Sequence, residues 1–567
     1  MVFNKLKPFW LAVSLFAAIG SARASEKPQL IGIAEQELFR SYESLKSGSV
    51  PVYYIAYGIT DKVSYTLTGS FGSLKNEEKK KYRTVDIDLR VGDPKFDNTH
   101  IIRGNPFEFG SGSAYANLPI ENNESAIRTA IWQATDRTYK DAIERYEKAT
   151  TNQKVKVTEE DSSADFSSEP AREWYDAPKP VSFDTASFSA KVRRLSQKFD
   201  GINWLYEGSV YFTATNTGKY FVSTENNKIA EYDNAYRIFV SAMTKADDGM
   251  TLPLYKSYFS FTPEGLPSEA VIARDIDSMI VLLKRLRTAP TAETFTGPAI
   301  LSGEAAGVFF HEIYGHRIEG HREKDPNASQ TFKGSVGKKI LPDFIDVTMD
   351  PTIKTYKGRE LSGYYEYDDE GVKSQKVVTV ERGVFRSFLM SRSPITNFEH
   401  SNGHGRRQAG YKAVSRQSNL IVDAEKTTTR DSLRLGLKKL AREQGKEYGL
   451  MFDVVTGGFT FTSRRIPNAF NVMPLVVYKV YADNRPDELV RGVDLIGTPL
   501  TTFSNIVAAA DDFGVFNGIC GAESGGVPVS ACSPSLLVSS IEVQKKQKSQ
   551  AKLPILDAPI QTVKQLP

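Results

Sequence analysis

Cysteine is nearly missing from this chain: two thiols, Cys520 and Cys532, in 567 residues. That excludes a disulfide-built scaffold and leaves at most one bridge, closing a short loop near the C-terminus. Long apolar runs are lacking too. No internal stretch approaches the roughly 20 residues a helix needs to cross a bilayer, so no stable membrane span is expected. Nor does charge of one sign dominate. The 72 Lys and Arg against 68 Asp and Glu leave a net +4, and taking away the three cations Lys5, Lys7 and Arg23 leaves +1. So neutral a surface has no general attraction for nucleic acid, and no nucleic-acid partner is expected. Histidine is also scarce, six in all, yet three of the six fall within one short segment.

The cations Lys5, Lys7 and Arg23 belong to a leader-like start. Two lysines precede an apolar run over 9–19, and Ala22-Arg23-Ala24 fits a small-x-small cleavage site. Residues 1–24 are therefore read as a signal peptide, which predicts an exported protein, periplasmic or secreted. The length is too great for one compact core and calls for two domains. Pro290 and Pro298 bracket a polar strip that places the boundary there. The expected division is an N-terminal α+β domain over 25–290, a C-terminal domain over 291–545, and a loosely held tail over 546–567.

Periodicity supplies the elements. Helices are predicted over 34–46, 124–148 (with Asn123 as its cap), 268–287 and 428–444. Strands are predicted over 52–57, 64–67, 84–91, 208–215, 220–224, 237–242, 376–380, 385–390, 459–462 and 475–481. The charged run Glu77 to Lys81 reads as a solvated loop, and 150–180 as an exposed connection. The class is α+β: two domains with mixed, largely antiparallel sheets and a metal-carrying helix in the C-terminal domain.

That helix carries the histidines, in G-V-F-F-H-E-I-Y-G-H-R-I-E-G-H from Gly307 to His321. Zinc peptidases use H-E-x-x-H because four residues along a helix return to nearly the same face. Here the spacing is H-E-x-x-x-H. Five residues turn a regular helix by about 500°, leaving His316 about 140° from His311. Both imidazoles can meet one ion only if the helix breaks between them, and Gly315 makes a break inexpensive. The chemistry then assigns His311 and His316 to a metal and Glu312, beside a ligand, to proton transfer.

Other blocks agree. H-E-I-Y-G-H-R-I-E-G, G-H-G-R-R from Gly403, S-R-Q-S-N ending at Asn419, G-V-D-L-I-G-T-P from Gly492 and F-N-G-I-C-G-A-E-S-G-G-V-P-V from Phe516 together resemble the TldD/PmbA family of zinc peptidases. The resemblance covers most of 290–542 and is of the active, motif-bearing type. It implies that Cys520 is the third zinc ligand, with Cys532 a spare small hydrophobe; a Cys520–Cys532 disulfide is the competing arrangement and would remove the ligand. It also implies a two-subunit assembly, a homodimer or a heterodimer with a related subunit, acting on a peptide or an unfolded protein. The family usually has an acidic residue where His321 stands, so His321 is expected behind the ligands or at the surface, with a rival-ligand role as the other option. Arg406, Arg407 and Arg416 are candidate substrate-binding residues, each able to fork onto a carboxylate or carbonyl, or else braces of the fold.

The resulting expectation is a Zn2+-dependent peptidase with Glu312 as general base. Two rivals stand beside it: a non-catalytic scaffold or binding subunit of a peptidase complex that keeps zinc for structure, marked by a fourth protein ligand, and an amidase of cell-wall peptides.

Overall fold

The computed structural model describes residues 26–102, 114–154, 161–464, 470–483, 485–497 and 499–546. The leader-like segment and most of the expected tail lie outside them.

The architecture is α+β with largely antiparallel sheets. In the N-terminal half, strands Val52–Ser70 and Ser73–Asp93 form one long hairpin turning at Phe71 and Gly72, both at positive φ. Strands Glu207–Ser223, Lys228–Lys245 and Thr251–Ser260 extend the sheet beside Val52–Ser70 in antiparallel order. Helices Gln29–Leu45 and Glu124–Gln153 bury Ile31, Leu38, Ile127 and Ile131 against Tyr57, Val85 and Ile87. Asn123 caps the longer helix by accepting from the Ala126 N–H. Helices Thr185–Gln197 and Glu269–Thr288 pack on a second cluster through Leu195, Ile276 and Leu283, and that cluster continues into Val476 and Leu489 of the C-terminal half.

Four expectations are corrected here. The pairs 52–57 with 64–67 and 208–215 with 220–224 are each one uninterrupted strand. The charged run Glu77 to Lys81 is strand rather than loop: it pairs with residues 63–67, and its other edge carries no strand partner among the described residues. Exposed Lys and Glu on such an edge discourage pairing with another chain, which is why no alternation marked it. The expected strand 385–390 stops at Phe385. Beyond it Leu389 trades backbone hydrogen bonds with Ile318 and Gly320, and Met390 N–H donates to Asn402, so these two residues do not continue the ladder with Val377–Glu381. Finally, 161–169 is not merely an exposed connection. Phe166 is buried with its ring between the guanidinium of Arg90 at 3.7 Å and that of Arg392 at 3.8 Å, one from each half of the chain.

Among the described residues the C-terminal half holds two further large sheets, beside two short two-stranded ribbons. Strand Tyr448–Thr460 runs parallel to Phe295–Leu301, which pairs with Leu536–Lys545; that strand pairs with Val493–Gly497, and this with Phe470–Tyr481, which returns to Tyr448–Thr460. The sheet thus closes on itself. The other sheet runs Val384–Phe385, Val377–Glu381, Ile345–Met349, Asn419–Ala424, Gly525–Ser533, Gly514–Ala522, with one parallel pair at Asn419–Ala424 beside Gly525–Ser533. Helix Gly303–Ile313 is wedged between the two sheets. Glycine allows the close fit: a Cβ at Gly307 would stand 2.8 Å from the Ala531 carbonyl oxygen.

Candidate metal centre

Helix Gly303–Ile313 is apolar on every side, and each of its residues except Glu304 is buried. A helix of that kind is packed against protein over most of its surface. It ends at Ile313, two residues after His311. Tyr314 leaves helical geometry at φ −115°, and Gly315–Arg317 forms a single 3-10 turn. The break required by the H-E-x-x-x-H spacing therefore falls between the two histidines. Gly315 is needed for space: a Cβ there would stand 2.6 Å from Gln417 Nε2 and closer still to the rest of that amide. The exposed carbonyls of the broken helix are all met. Arg317 donates to Glu312 O at 2.8 Å and to Ile313 O at 3.4 Å, and Gln417 Nε2 donates to His311 O at 3.2 Å.

The turn brings the two imidazoles face to edge, with ring centroids 5.0 Å apart. Cys520 arrives from Gly514–Ala522, the terminal strand of its sheet, where it points inward while Ile519 and Gly521 point outward. Its Sγ lies 3.3 Å from His316 Nε2. One donor atom each from His311, His316 and Cys520 lie within 4.8 Å of one another, and all three residues are buried. Burial alone would push the Cys520 thiol up, but the adjacent His316 and His311 rings hold it well below the usual thiol range. Two nitrogens and one thiolate-prone sulfur are a donor set that suits zinc, and three such donors are what an ion with an exchangeable fourth position takes. The residues present therefore fit the ion.

Glu312 is buried beside them, its side chain packed where Gly458 has no Cβ; one added there would approach Glu312 Cγ to 2.6 Å. His311, Glu312, His316 and Cys520 all line one groove of about 430 Å³, with Val308, Phe459, Met473, Phe516 and Ile519 as its apolar surface.

Beside the ligands lies a set of paired charges, of which Arg322 and Glu523 also line the groove. Glu319, fully buried, accepts from His316 Nδ1 at 3.3 Å and from Arg322 at 2.7 and 3.0 Å. Burial would raise its carboxyl, yet His316 and Arg322 bring it down to about 2. Arg322 also donates to Glu523 at 2.9 Å, and Glu523 binds His321 Nε2. His321 is thus outside the donor trio and tied to a carboxylate.

The three arginines part company. Arg407 pairs with Asp86 and lines a separate cavity of about 690 Å³ between the two halves, which His321 and Glu523 also border. Arg406 is buried over the Tyr365 ring at 4.5 Å and donates to Gln417 O. Arg416 is fully buried and donates to Cys520 O at 2.7 Å and Cys520 Sγ at 3.2 Å. Of the two roles expected for Arg406 and Arg416, substrate contact or bracing of the fold, their positions favour bracing: neither lines the groove, and both donate to interior partners. Both cysteines are free, so the competing disulfide is absent. Cys532 is packed with Leu361 and Ile421, and burial pushes its thiol up to about 12.

Sequence reasoning did not single out Glu319, Arg322, Gln417 or Glu523. The i,i+3 spacings from His316 to Glu319 and from Glu319 to Arg322 were one available signal; Gln417 and Glu523 stand inside the S-R-Q-S-N and F-N-G-I-C-G-A-E-S-G-G-V-P-V blocks, which is the signal they had.

Residues 294–545 match the model of the PmbA/TldA metallopeptidase C-terminal domain. Over those residues the chain carries a C-terminal domain of the PmbA/TldD type. It is 28% identical over 242 residues to a metalloprotease of Archaeoglobus fulgidus, covering 42% of this chain and 51% of that one. It is 25% identical over 250 residues to a zinc metalloprotease TldD homologue of Saccharolobus solfataricus, covering 43% and 51%. The matches thus span about half the length of these relatives. In fold the likeness is wider. A putative modulator of a DNA gyrase from Thermotoga maritima superposes with a TM-score of 0.58 at 15% identity, over 90% of this chain and 99% of that one. TldE from Thermococcus kodakarensis gives 0.57 at 12% identity, over 90% and 100%.

Proposed function

We propose that this chain is a zinc-dependent peptidase that hydrolyses unfolded or short peptides, with His311, His316 and Cys520 as metal ligands and Glu312 as general base. The observation that carries the reading is the convergence of these four side chains on one groove, across a helix break and from a strand about 200 residues away. The relatives' names, metalloprotease and zinc metalloprotease, support the same class.

Bound there, zinc would supply a Lewis acid that lowers the pKa of its water and polarises the scissile carbonyl. The chain's own residues do the rest. Glu312, next in sequence to His311, takes the water's proton and returns it to the departing amine. The buried walls keep charge weakly screened. The strand holding Cys520 is the last of its sheet, so its outer edge offers N–H and C=O groups to an extended peptide, read by backbone rather than by side chain. The donor trio excludes His321, and a three-ligand site favours the catalytic reading over a four-ligand scaffold. The full reading places the signal over 1–24 with export to the periplasm or beyond, divides the mature chain at 290, and includes assembly as a homodimer or with a related subunit, for which the likeness to TldE is the support.

The test is Glu312→Gln. The variant should retain its zinc and lose at least 100-fold in turnover of a panel of unfolded peptides, about the lower bound for removing a general base. Full activity would remove Glu312 from the mechanism. Peptidoglycan fragments in the same panel separate a peptidase from a cell-wall amidase.

A further inference from the structure

Arg416 is one of three arginines whose side chains are fully buried among the described residues, with Arg317 and Arg392. Its guanidinium is fully buried, and it is not spent on the groove but on the sulfur behind it. One terminal nitrogen donates to Cys520 O at 2.7 Å and to Cys520 Sγ at 3.2 Å. The other donates to Ser524 Oγ at 2.6 Å and Gly525 O at 2.9 Å, in the turn that follows Cys520's strand. Its Nε faces Glu319 Oε1 at 3.3 Å, and the other oxygen of Glu319 accepts from His316 Nδ1. Arg416 and Glu319 therefore form one buried ion pair with a separate hold on each of two proposed ligands.

We propose that Arg416 and Glu319 are positioning residues for the metal site: Glu319 fixes the tautomer and ring direction of His316, and Arg416 anchors the Cys520 hairpin while its hydrogen bond to Sγ tempers the sulfur as a donor. The inference rests on the zinc reading above and deepens it.

The physical reasons are two. A histidine that gives Nδ1–H to a carboxylate presents Nε2 to a metal, and such outer partners commonly govern affinity by about 10–100-fold. A cation that donates to a thiolate withdraws electron density from it through a charge-assisted bond. The sulfur then gives less charge to a bound ion, which stays the stronger Lewis acid. A hydrophobic replacement for Arg416 would leave Glu319 a buried, half-paired charge, so the pair stands or falls together. Lysine does not substitute: its single ammonium cannot span from the turn at Ser524 to Sγ and back to Glu319.

The experiment uses the full chain, wild type beside Arg416→Lys and Glu319→Gln, with folding followed by circular dichroism. Zn2+ affinity is read by competition with a chromophoric chelator, and the Co2+-substituted protein by its sulfur-to-cobalt charge-transfer band. Both variants should bind Zn2+ about 10–100-fold more weakly, and in Arg416→Lys the band should move to lower energy as the sulfur loses its donor. A purely structural brace would leave that band in place. Should Arg416→Lys not fold, Ser524→Ala removes only the hydroxyl that holds the guanidinium and should shift the band in the same direction by less. Wild-type affinities with an unmoved band overturn the proposal while leaving the metal site standing. A wild-type chain that takes up no metal overturns the zinc reading itself.

Discussion

Gly315→Ala isolates the helix break from the chemistry it serves. Gly315 is not in the left-handed region, so the change is a question of space alone. The new methyl would stand 2.6 Å from Gln417 Nε2 and nearer still to the rest of an amide that is itself fully buried and bonded to His311 O at 3.2 Å. Overpacking of a filled core costs about 1–3 kcal/mol. Displacing Gln417 gives up a hydrogen bond worth about 1 kcal/mol. The lost flexibility of glycine in the unfolded chain returns about 0.5–1 kcal/mol. The net loss is about 2 kcal/mol, which for a domain of this size lowers Tm by about 4–8 °C. Because Gln417 leans on the His311 carbonyl, zinc content should fall as well. The assay is a thermal melt with metal analysis on Gly315→Ala, Gln417→Ala and the double variant. Removing the amide makes room, so the double variant should be more stable than the sum of the two losses by about 1 kcal/mol or more. Simple additivity, or an unchanged Tm in Gly315→Ala, refutes the reasoning.

Two other outcomes follow from parts remote from the groove. Phe166 lies between Arg90 and Arg392, so Phe166→Leu, which keeps apolar volume but loses the ring face, should cost about 1–2 kcal/mol in urea denaturation; no change there denies that the ring joins the two halves. His404 is buried, bonded at Nδ1 to Asn402 and at Nε2 to Ser418, and burial brings its imidazole down to about 3. The unfolded chain protonates this ring first, near the ordinary value of about 6.5. Its contribution to stability is therefore complete above that pH and lost as pH falls toward 3. His404→Gln should flatten the acid side of the stability profile, and an unchanged slope contradicts the assignment.

What the sequence made legible was local. The need for a break inside H-E-x-x-x-H follows from helix geometry, and Gly315 stands where it occurs. The long helix capped by Asn123 shows its apolar stripe plainly. What was not legible depends on distant contact. Arg416 looked like a substrate hook because nothing within 100 residues shows that it will end beneath Cys520. His321 meets Glu523 across 202 residues. The run Glu77 to Lys81 passed for a loop because an exposed edge strand buries neither face and so leaves no period of two. Residues 386–390 carry strand-like composition, yet Leu389 is bonded to Ile318 and Gly320 after His316, and Met390 to Asn402 and His404.

The central claim is that two imidazoles and one remote thiolate hold a single ion. Metal analysis of the purified chain, repeated on Cys520→Ser, tests it most directly. One zinc per wild-type chain and none, or far less, in the variant is the expected result. Equal zinc in both, or none in either, contradicts the account.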